Sequence, residues 1–348
     1  MKKITAIAFI AITLISCKKE TAKITKIDEK TGKVITIEVP KDSVQEVKAN
    51  PAIKDSLGVY KQSFKLEKGK TYPLTTYQRD VQTLTASNGK SQSGTNETTD
   101  EMTFVVDNVT NKVYDITINL ISKRNSQSAQ GKTIVVDTKL AAPKEDQLKM
   151  MWTVNKALVG NKLSMKMDES GNVLSITGFE PVYTKVNAAV SGLVKDPKAR
   201  SGFLENFKHS FDEKMLKDQF VKNLKLIPAK GVKIGEKWTN TENATPDGKV
   251  KLTTTYTLKS VGNGIATISV TGGIPYKSEQ NSQQGITHSM SSELTQNGTI
   301  LLDQNTGWID HQNISVKTTQ TETMSDGKQK QSMTSVSNSS VMVNPKSK

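Results

Sequence analysis

Cysteine, histidine and arginine are almost missing from this chain: 348 residues hold one cysteine, three histidines and three arginines. A lone cysteine excludes a disulfide framework, so the fold must hold without cross-links. His209, His288 and His311 stand in no H-x-x-x-H or H-E-x-x-H frame, and no zinc motif can be built from them. Arg79, Arg124 and Arg200 are scattered, so the arginine cluster expected of a nucleic-acid reader is absent. Aromatic residues are only 5% of the chain. No G-x-S-x-G elbow, Walker loop or GxGxxG is present, which removes the usual anchors of hydrolase and nucleotide chemistry. The apolar run from Ile4 to Leu14 is too short to cross a bilayer as a permanent helix.

That short run has another meaning. Lys2 and Lys3 precede it, and Leu14-Ile15-Ser16-Cys17 follows as a lipobox, so residues 1–16 read as a lipoprotein signal peptide. A cysteine suits the junction because a thiolate is a strong nucleophile and can take a diacylglyceryl group through a thioether. Each buried methylene is worth about 0.8 kcal/mol, so two or three chains hold a protein at a membrane where one does not. Cys17 is therefore the expected lipidation site, and the membrane is the expected partner through that anchor.

Basic residues exceed acidic ones by 48 to 34, a formal net charge of +14. The lysines are dispersed, which is the pattern of a solvated surface, with anionic lipid or glycan contact as the functional counterpart. Nucleic acid is not an expected partner of an exported, lipid-anchored chain.

Along the chain the grammar is that of antiparallel strands. Residues 17–58 read as the lipidated N-terminus and a tether with one hairpin, in which Ala22–Ile27 and Lys33–Val39 alternate around an Asp28–Gly32 turn. Residues 59–180 read as a first β unit, with period-two alternation at Tyr60–Leu66, Met102–Val106, Val113–Leu120, Lys132–Leu140 and Leu163–Met167. Residues 181–227 change to helical spacing. Val182, Val186, Ala189, Val190 and Leu193 form one stripe, Ser201 is placed to cap a second helix, and Ser210–Glu213 forms a capping box ahead of Met215, Leu216, Phe220 and Leu224. Residues 228–348 read as a second β unit that ends in a long hairpin, Ile314–Met324 against Lys328–Val343. Its lysine, glutamine and serine face predicts an edge position.

The two β units rhyme. Lys68-Gly69-Lys70-Thr71-Tyr72 matches Ile234-Gly235-Glu236-Lys237-Trp238, and the Asp168–Gly171 turn matches Asp303–Gly307. The expected architecture is mainly β, with two tandem antiparallel units, half-barrel or sandwich-like, joined by a helical segment.

No catalytic constellation emerges. The pairs Asp100-Glu101, Asp168-Glu169 and Asp212-Glu213 are adjacent, and neighbours on a strand point to opposite faces rather than across a substrate. Asp168–Asn172 offers oxygens but lacks the EF-hand spacing, so a hairpin turn is the expectation and no metal is. No cofactor is expected. Trp152, Trp238 and Trp308 are the candidate ligand contacts, as stacking platforms for a sugar or as packing at the repeat landmarks. Met150, Met151, Met165 and Met167 are adaptable apolar residues suited to a core or a lipid groove.

The glycine-x-x-aromatic entry, the strand–Asp-x-x-Gly–strand exit and their recurrence around a helical insert resemble the DUF6263 family of Bacteroidota lipoproteins, over roughly Leu57 to Val316. The resemblance carries no activity and no functional residue. It implies an envelope lipoprotein. In surface lipoproteins of that phylum an acidic run follows the lipidated cysteine. Lys18-Lys19-Glu20 has one acid only, which points to an outer-membrane anchor facing the periplasm. The functional expectation is a non-enzymatic binding or structural module, for lipid or another apolar ligand. The alternative is a glycan-binding or glycan-processing accessory using exposed tryptophans.

Overall fold

A computed structural model of the chain describes residues 21–27, 34–40, 50–245 and 247–345. The signal segment, the lipobox and Cys17 lie outside the described residues. The chain divides into two compact units, Met1–Glu46 and Val47–Lys348. In the first, β1 (Thr21–Ile27) pairs antiparallel with β2 (Val34–Pro40), with Thr21 opposite Pro40 and Ile27 opposite Val34. This is the hairpin expected from the alternation of its two strands; the expected Asp28–Gly32 turn lies outside the described residues.

The second unit opens with a small hairpin, β3 (Ile53–Ser56) and β4 (Val59–Gln62). Leu57 and Gly58 turn it with positive φ, the backbone hand a two-residue hairpin needs. Ala52, Ile53, Phe64 and Leu66 are buried, so the residues on both sides of this hairpin belong to the body. The tether expected to reach residue 58 stops earlier, because these apolar side chains have a core to enter.

The first meander runs β5 (Thr71–Ala86), β6 (Ser91–Thr110), β7 (Val113–Ala129), then β8 (Lys132–Asp137) and helix α1 (Asp146–Leu158), then β9 (Lys162–Asp168) and β10 (Val173–Thr177). Strand β7 is shared: its first half pairs with β9, from Val113 opposite Asp168, and its second half pairs with β8, from Arg124 opposite Asp137. Three helices follow: α2 (Phe179–Ser191), α3 (Pro197–Ser210) and α4 (Glu213–Leu224). The second meander is β11 (Lys237–Asn243), β12 (Lys251–Gly262), β13 (Ile265–Gln283), β14 (Ile286–Asp303) and β15 (Ile309–Ser325), and β16 (Lys330–Val343) ends the chain.

All strands from β5 onward join one twelve-stranded antiparallel sheet, in the order β10-β9-β7-β6-β5-β16-β15-β14-β13-β12-β11, with β8 beside β7. The sheet does not close on itself; β10 and β11 are its two edges. Helix α4 contacts both. Ile176 N–H donates to Glu213 Oε1 at 3.2 Å and Lys217 Nζ to the Leu174 carbonyl at 2.8 Å on the β10 side, and Lys222 Nζ meets Glu242 Oε2 of β11 at 2.8 Å. The helix thus packs against the β10 edge and reaches the β11 edge through one side-chain ion pair.

The core sits where the sheet curls around the helices. Phe104, Val106, Ile116, Ile118, Leu163, Met165 and Met167 come from the first meander, and Leu258, Ala266, Ile268, Val270, Ile300 and Leu302 from the second. Val182, Val186, Val190, Phe220 and Leu224 come from α2 and α4, and all form one cluster. Gln62 fastens the N-terminal hairpin to this end. Its amide donates to the carbonyls of Leu224 at 2.8 Å and Gly307 at 2.9 Å, and its oxygen accepts from Leu226 and Ile227 N–H.

The matched sequence landmarks have matched hydrogen bonds. Gly69 and Gly235 both have positive φ, and their N–H groups donate to Val106 and Leu258 at 2.7 Å each. Val106 and Leu258 in turn donate to Lys70 and Glu236. The two aspartate turns agree as well: Gly171 N–H donates to the Asp168 carbonyl at 3.0 Å and Gly307 N–H to the Asp303 carbonyl at 2.8 Å.

Three local expectations are corrected. The C-terminal hairpin is central rather than at an edge, because β16 pairs with β5 from Val343 opposite Thr76 to Met333 opposite Ala86 and so welds the two meanders together. Helix α3 starts at Pro197 with Asp196 as its cap, whose carboxylate accepts from Lys198 N–H, and Ser201 lies inside it. Helix α4 is capped by Asp212, which accepts from Met215 N–H at 2.8 Å, rather than by Ser210. An aspartate already in extended geometry next to the first turn satisfies an orphan N–H more directly than a serine two residues earlier.

Candidate binding site

Among the described residues no cluster of three or more His, Cys, Asp or Glu side chains could hold a metal ion. The histidines stay apart: His209 and His288 are exposed, and His311 Nδ1 lies 3.1 Å from the Asn344 carbonyl. The oxygens of Asp168 are spent on its own turn. Oδ1 accepts from Ser170 and Asn172 N–H at 2.9 Å each, and Oδ2 from the Asn172 amide at 2.8 Å. Burial opposes ionisation of Asp168, but these hydrogen bonds and the nearby Lys225 charge outweigh it and hold its pKa below the usual carboxylate value.

The three tryptophans have three different settings. Trp308 is 3% exposed. It packs edge-on to Phe104 at 5.1 Å and beside Tyr72 at 5.4 Å, and its indole N–H donates to the Pro73 carbonyl. It is a core residue that joins the meanders and has no face left for a ligand. Trp152, on α1, donates its N–H to the carbonyls of Asp137 and Leu140, with the Lys156 ammonium 5.9 Å from its ring centroid. It closes the β8–α1 connection. Trp238 is half-buried and stacks on Tyr256 at 5.6 Å with 16° between the rings. Of the methionines, Met165 and Met167 are fully buried, Met150 packs against the core from α1, and Met151 is 46% exposed.

A cavity of about 200 Å³ lies between the sheet and the helices. Met102 and Leu120 enter it from β6 and β7, Leu158 and Val159 from the end of α1, and Phe211, Met215 and Leu216 from the start of α4. The sequence builds it simply. Met102 and Leu120 are cross-strand partners on one face, and Asp212 fixes the helix entry that aims Met215 and Leu216 at them. Asp100, Glu101, Ser122 and Lys123 form its polar part. Both carboxylates are occupied: Asp100 pairs with Lys123 at 2.7 Å, and Glu101 takes Lys139 at 2.7 Å and the Ser122 hydroxyl at 2.7 Å. The Lys139 and Ser122 hydrogen bonds keep Glu101 ionised below its usual pKa against the cost of burial. A carboxylate held this way is a poor proton acceptor, so the arrangement suits holding an apolar group beside a fixed polar rim rather than moving protons.

Sequence reasoning placed Met215 and Leu216 on an apolar stripe but not Met102, Leu120 or Leu158 around a cavity. The alternation of β6 and the apolar end of α1 carried that signal, and only the tertiary meeting of strand and helix makes it a site.

The model of a family of unknown function, DUF6263, matches residues 111–309 of this chain. No curated protein matches. Among solved structures, one of lipid–protein interactions in lipovitellin is similar at 11% identity and a TM-score of 0.34, and covers 82% of this chain and 26% of that one. An outer membrane channel from Pseudomonas putida F1 is similar at 11% identity and a TM-score of 0.21, covering 80% of this chain and 97% of that one. The chain thus spans about a quarter of the lipovitellin chain's length.

Proposed function

This chain belongs to the DUF6263 family, and we propose that it is an envelope lipoprotein, held at the outer membrane on its periplasmic face by acyl chains on Cys17, whose body is a non-enzymatic binding module for a small apolar group. The cavity between β6, β7 and α4 carries this reading. Its volume, about 200 Å³, decides the ligand class. An engineered apolar cavity of about 150 Å³ takes benzene, whereas whole drug-sized ligands need about 300–1,000 Å³. A ring or a short alkyl end fits; a two-chain phospholipid does not, which disfavours a lipid-carrier role. The ion-paired rim favours an amphiphile whose polar end stays at Asp100 and Lys123.

Calorimetric titration of the mature chain with octanoate tests the cavity. Saturable binding is expected, and Met215→Trp, at a position 50% exposed, abolishes it while leaving the far-ultraviolet circular dichroism and the melting temperature unchanged. Equal affinity in both proteins rules the cavity out. The anchor has its own test: the intact mass of the membrane-fraction protein should show acyl groups on Cys17 that Cys17→Ser lacks. A glycan-binding accessory role rests on Trp238 and its Tyr256 stack, since Trp308 is buried and the Trp152 N–H is engaged. Glycan-array binding that survives Trp238→Ala excludes it.

A further inference from the structure

A second recess, of opposite character, lies at the core end of the molecule. It has a volume of about 550 Å³ and is lined by Lys54, Lys61, Lys65, Lys112, Lys225 and a single carboxylate, Glu169. The body supplies these lysines from three separate places: the β3–β4 hairpin with the three residues that follow it, the β6–β7 turn, and the end of α4. Their arrangement works against the fold. Lys54 and Lys61 are directly opposite each other in the hairpin register, a like-charge pair that destabilises a sheet, and neither has an ion-pair partner among the described residues. Lys112 has φ of 65°, a backbone hand that a hairpin turn normally gives to glycine. Lys65 is half-buried, and burial and the Lys54 charge lower its pKa. Glu169 is matched by Lys112 at 2.7 Å. Lys65 and Lys225 each spend one donor, on the Asn50 carbonyl and on Asn172 Oδ1, and keep others for a ligand.

We infer that this recess is a binding site for a phosphate group, with the headgroup of an anionic lipid as its source. Several lysines lining one recess suit the tetrahedral oxygens of phosphate as point charges, and the planar fork that arginine offers a carboxylate is absent from the lining. The recess includes Asn50, just before the β3–β4 hairpin. The lipid source rests on the anchoring proposed above; the phosphate chemistry does not.

The test uses the mature chain with Cys17→Ser, so that no acyl anchor contributes, cosedimented with phosphatidylcholine vesicles with and without phosphatidylglycerol. Binding is expected only to the anionic vesicles. Lys54→Gln with Lys61→Gln should weaken it about tenfold or more, at about 1 kcal/mol for each lysine near a charged surface. Lys132→Gln with Lys328→Gln removes the same charge elsewhere and should leave binding intact. Equal loss from both pairs, or no loss from the first, overturns the site. Because Lys54 and Lys61 repel each other, their double variant should melt no lower than the parent, which separates lost binding from lost fold. Inorganic phosphate that binds, sensitive to the same two lysines, while the anionic vesicles do not bind upholds the phosphate site and overturns the lipid source. A parent chain found without acyl groups on Cys17 overturns the anchor and leaves this result standing.

Discussion

The same long strands meet two environments, and the contrast explains how the molecule is built. At one end, β13 alternates buried residues at Ala266, Ile268 and Val270, and its neighbour β14 contributes Ile300 and Leu302. At the other end, β13 from Lys277 to Gln283 is exposed at every position, and β16 buries only Val343 along its whole length. Backbone pairing continues, past a register shift between Ile274 and Lys277: Gln283 still opposes Ile286, and Ser325 still opposes Lys330. What changes is cover. Where α2, α4 and residues 52–66 lie on the sheet, one face becomes core. Beyond them both faces are wet, and hydroxyl pairs such as Thr83 with Ser93 at 2.8 Å and Thr321 with Thr334 at 3.1 Å link the strands. Each such pair contributes about 0.2–1 kcal/mol, against about 1.5–3 kcal/mol for a fully buried apolar side chain. Strand formation and core formation are therefore separate decisions in this sequence.

Substitutions should reveal that separation in their sizes. The largest effect is expected from Phe104→Ala. The ring is fully buried between Phe220 at 5.2 Å and Trp308 at 5.1 Å, and its loss should cost about 3–5 kcal/mol in urea unfolding. Next comes Gly307→Ala. Gly307 has φ of 76°, and a Cβ there would collide with the Ser63 carbonyl, so more than about 1 kcal/mol should be lost in the same assay. Asp168→Asn should act through pH. The folded pKa of Asp168 is lowered, so its stabilisation is complete above the unfolded value of about 3.9 and fades as pH falls through the folded one. The variant should be less stable than the parent at neutral pH, and the gap between them should narrow below about pH 4. The smallest effect belongs to the wet end. Met333→Lys, at a side chain 46% exposed, should change stability by no more than about 0.5 kcal/mol. A cost at Met333 comparable to that at Phe104 would erase the distinction between the two ends.

The sequence shows the covered end far better than the wet one. Alternation marked Met102–Val106, yet β6 begins at Ser91, because its polar first half carries no apolar period to read. The helical stripe of Val182, Val186 and Val190 and the left-handed glycines were legible because each is dictated within a few residues. Helix α1 was not: Glu145 makes no side-chain cap, and Asn155 is its sole buried residue. The central place of the last hairpin was also hidden. Its polar face resembles an edge, and the pairing that contradicts this joins Met333 to Ala86 across most of the chain. Trp308 was weighed as a ligand contact because an indole at a turn reads the same on paper whether Phe104 and Tyr72 lie beside it or not. The cavity around Met102, Leu120 and Leu216 escaped for a similar reason, since three separate elements make it and none makes it alone.

Native-state hydrogen exchange followed by mass spectrometry tests the two-ended account most directly. Peptides covering 265–270, 298–303 and 309–314 should exchange only through global unfolding, while those covering 277–291 and 318–335 should exchange through local opening at clearly lower free energy. Equal protection along β13, β14, β15 and β16 would contradict the account, because it would mean that the polar halves are held as firmly as the core from which they extend.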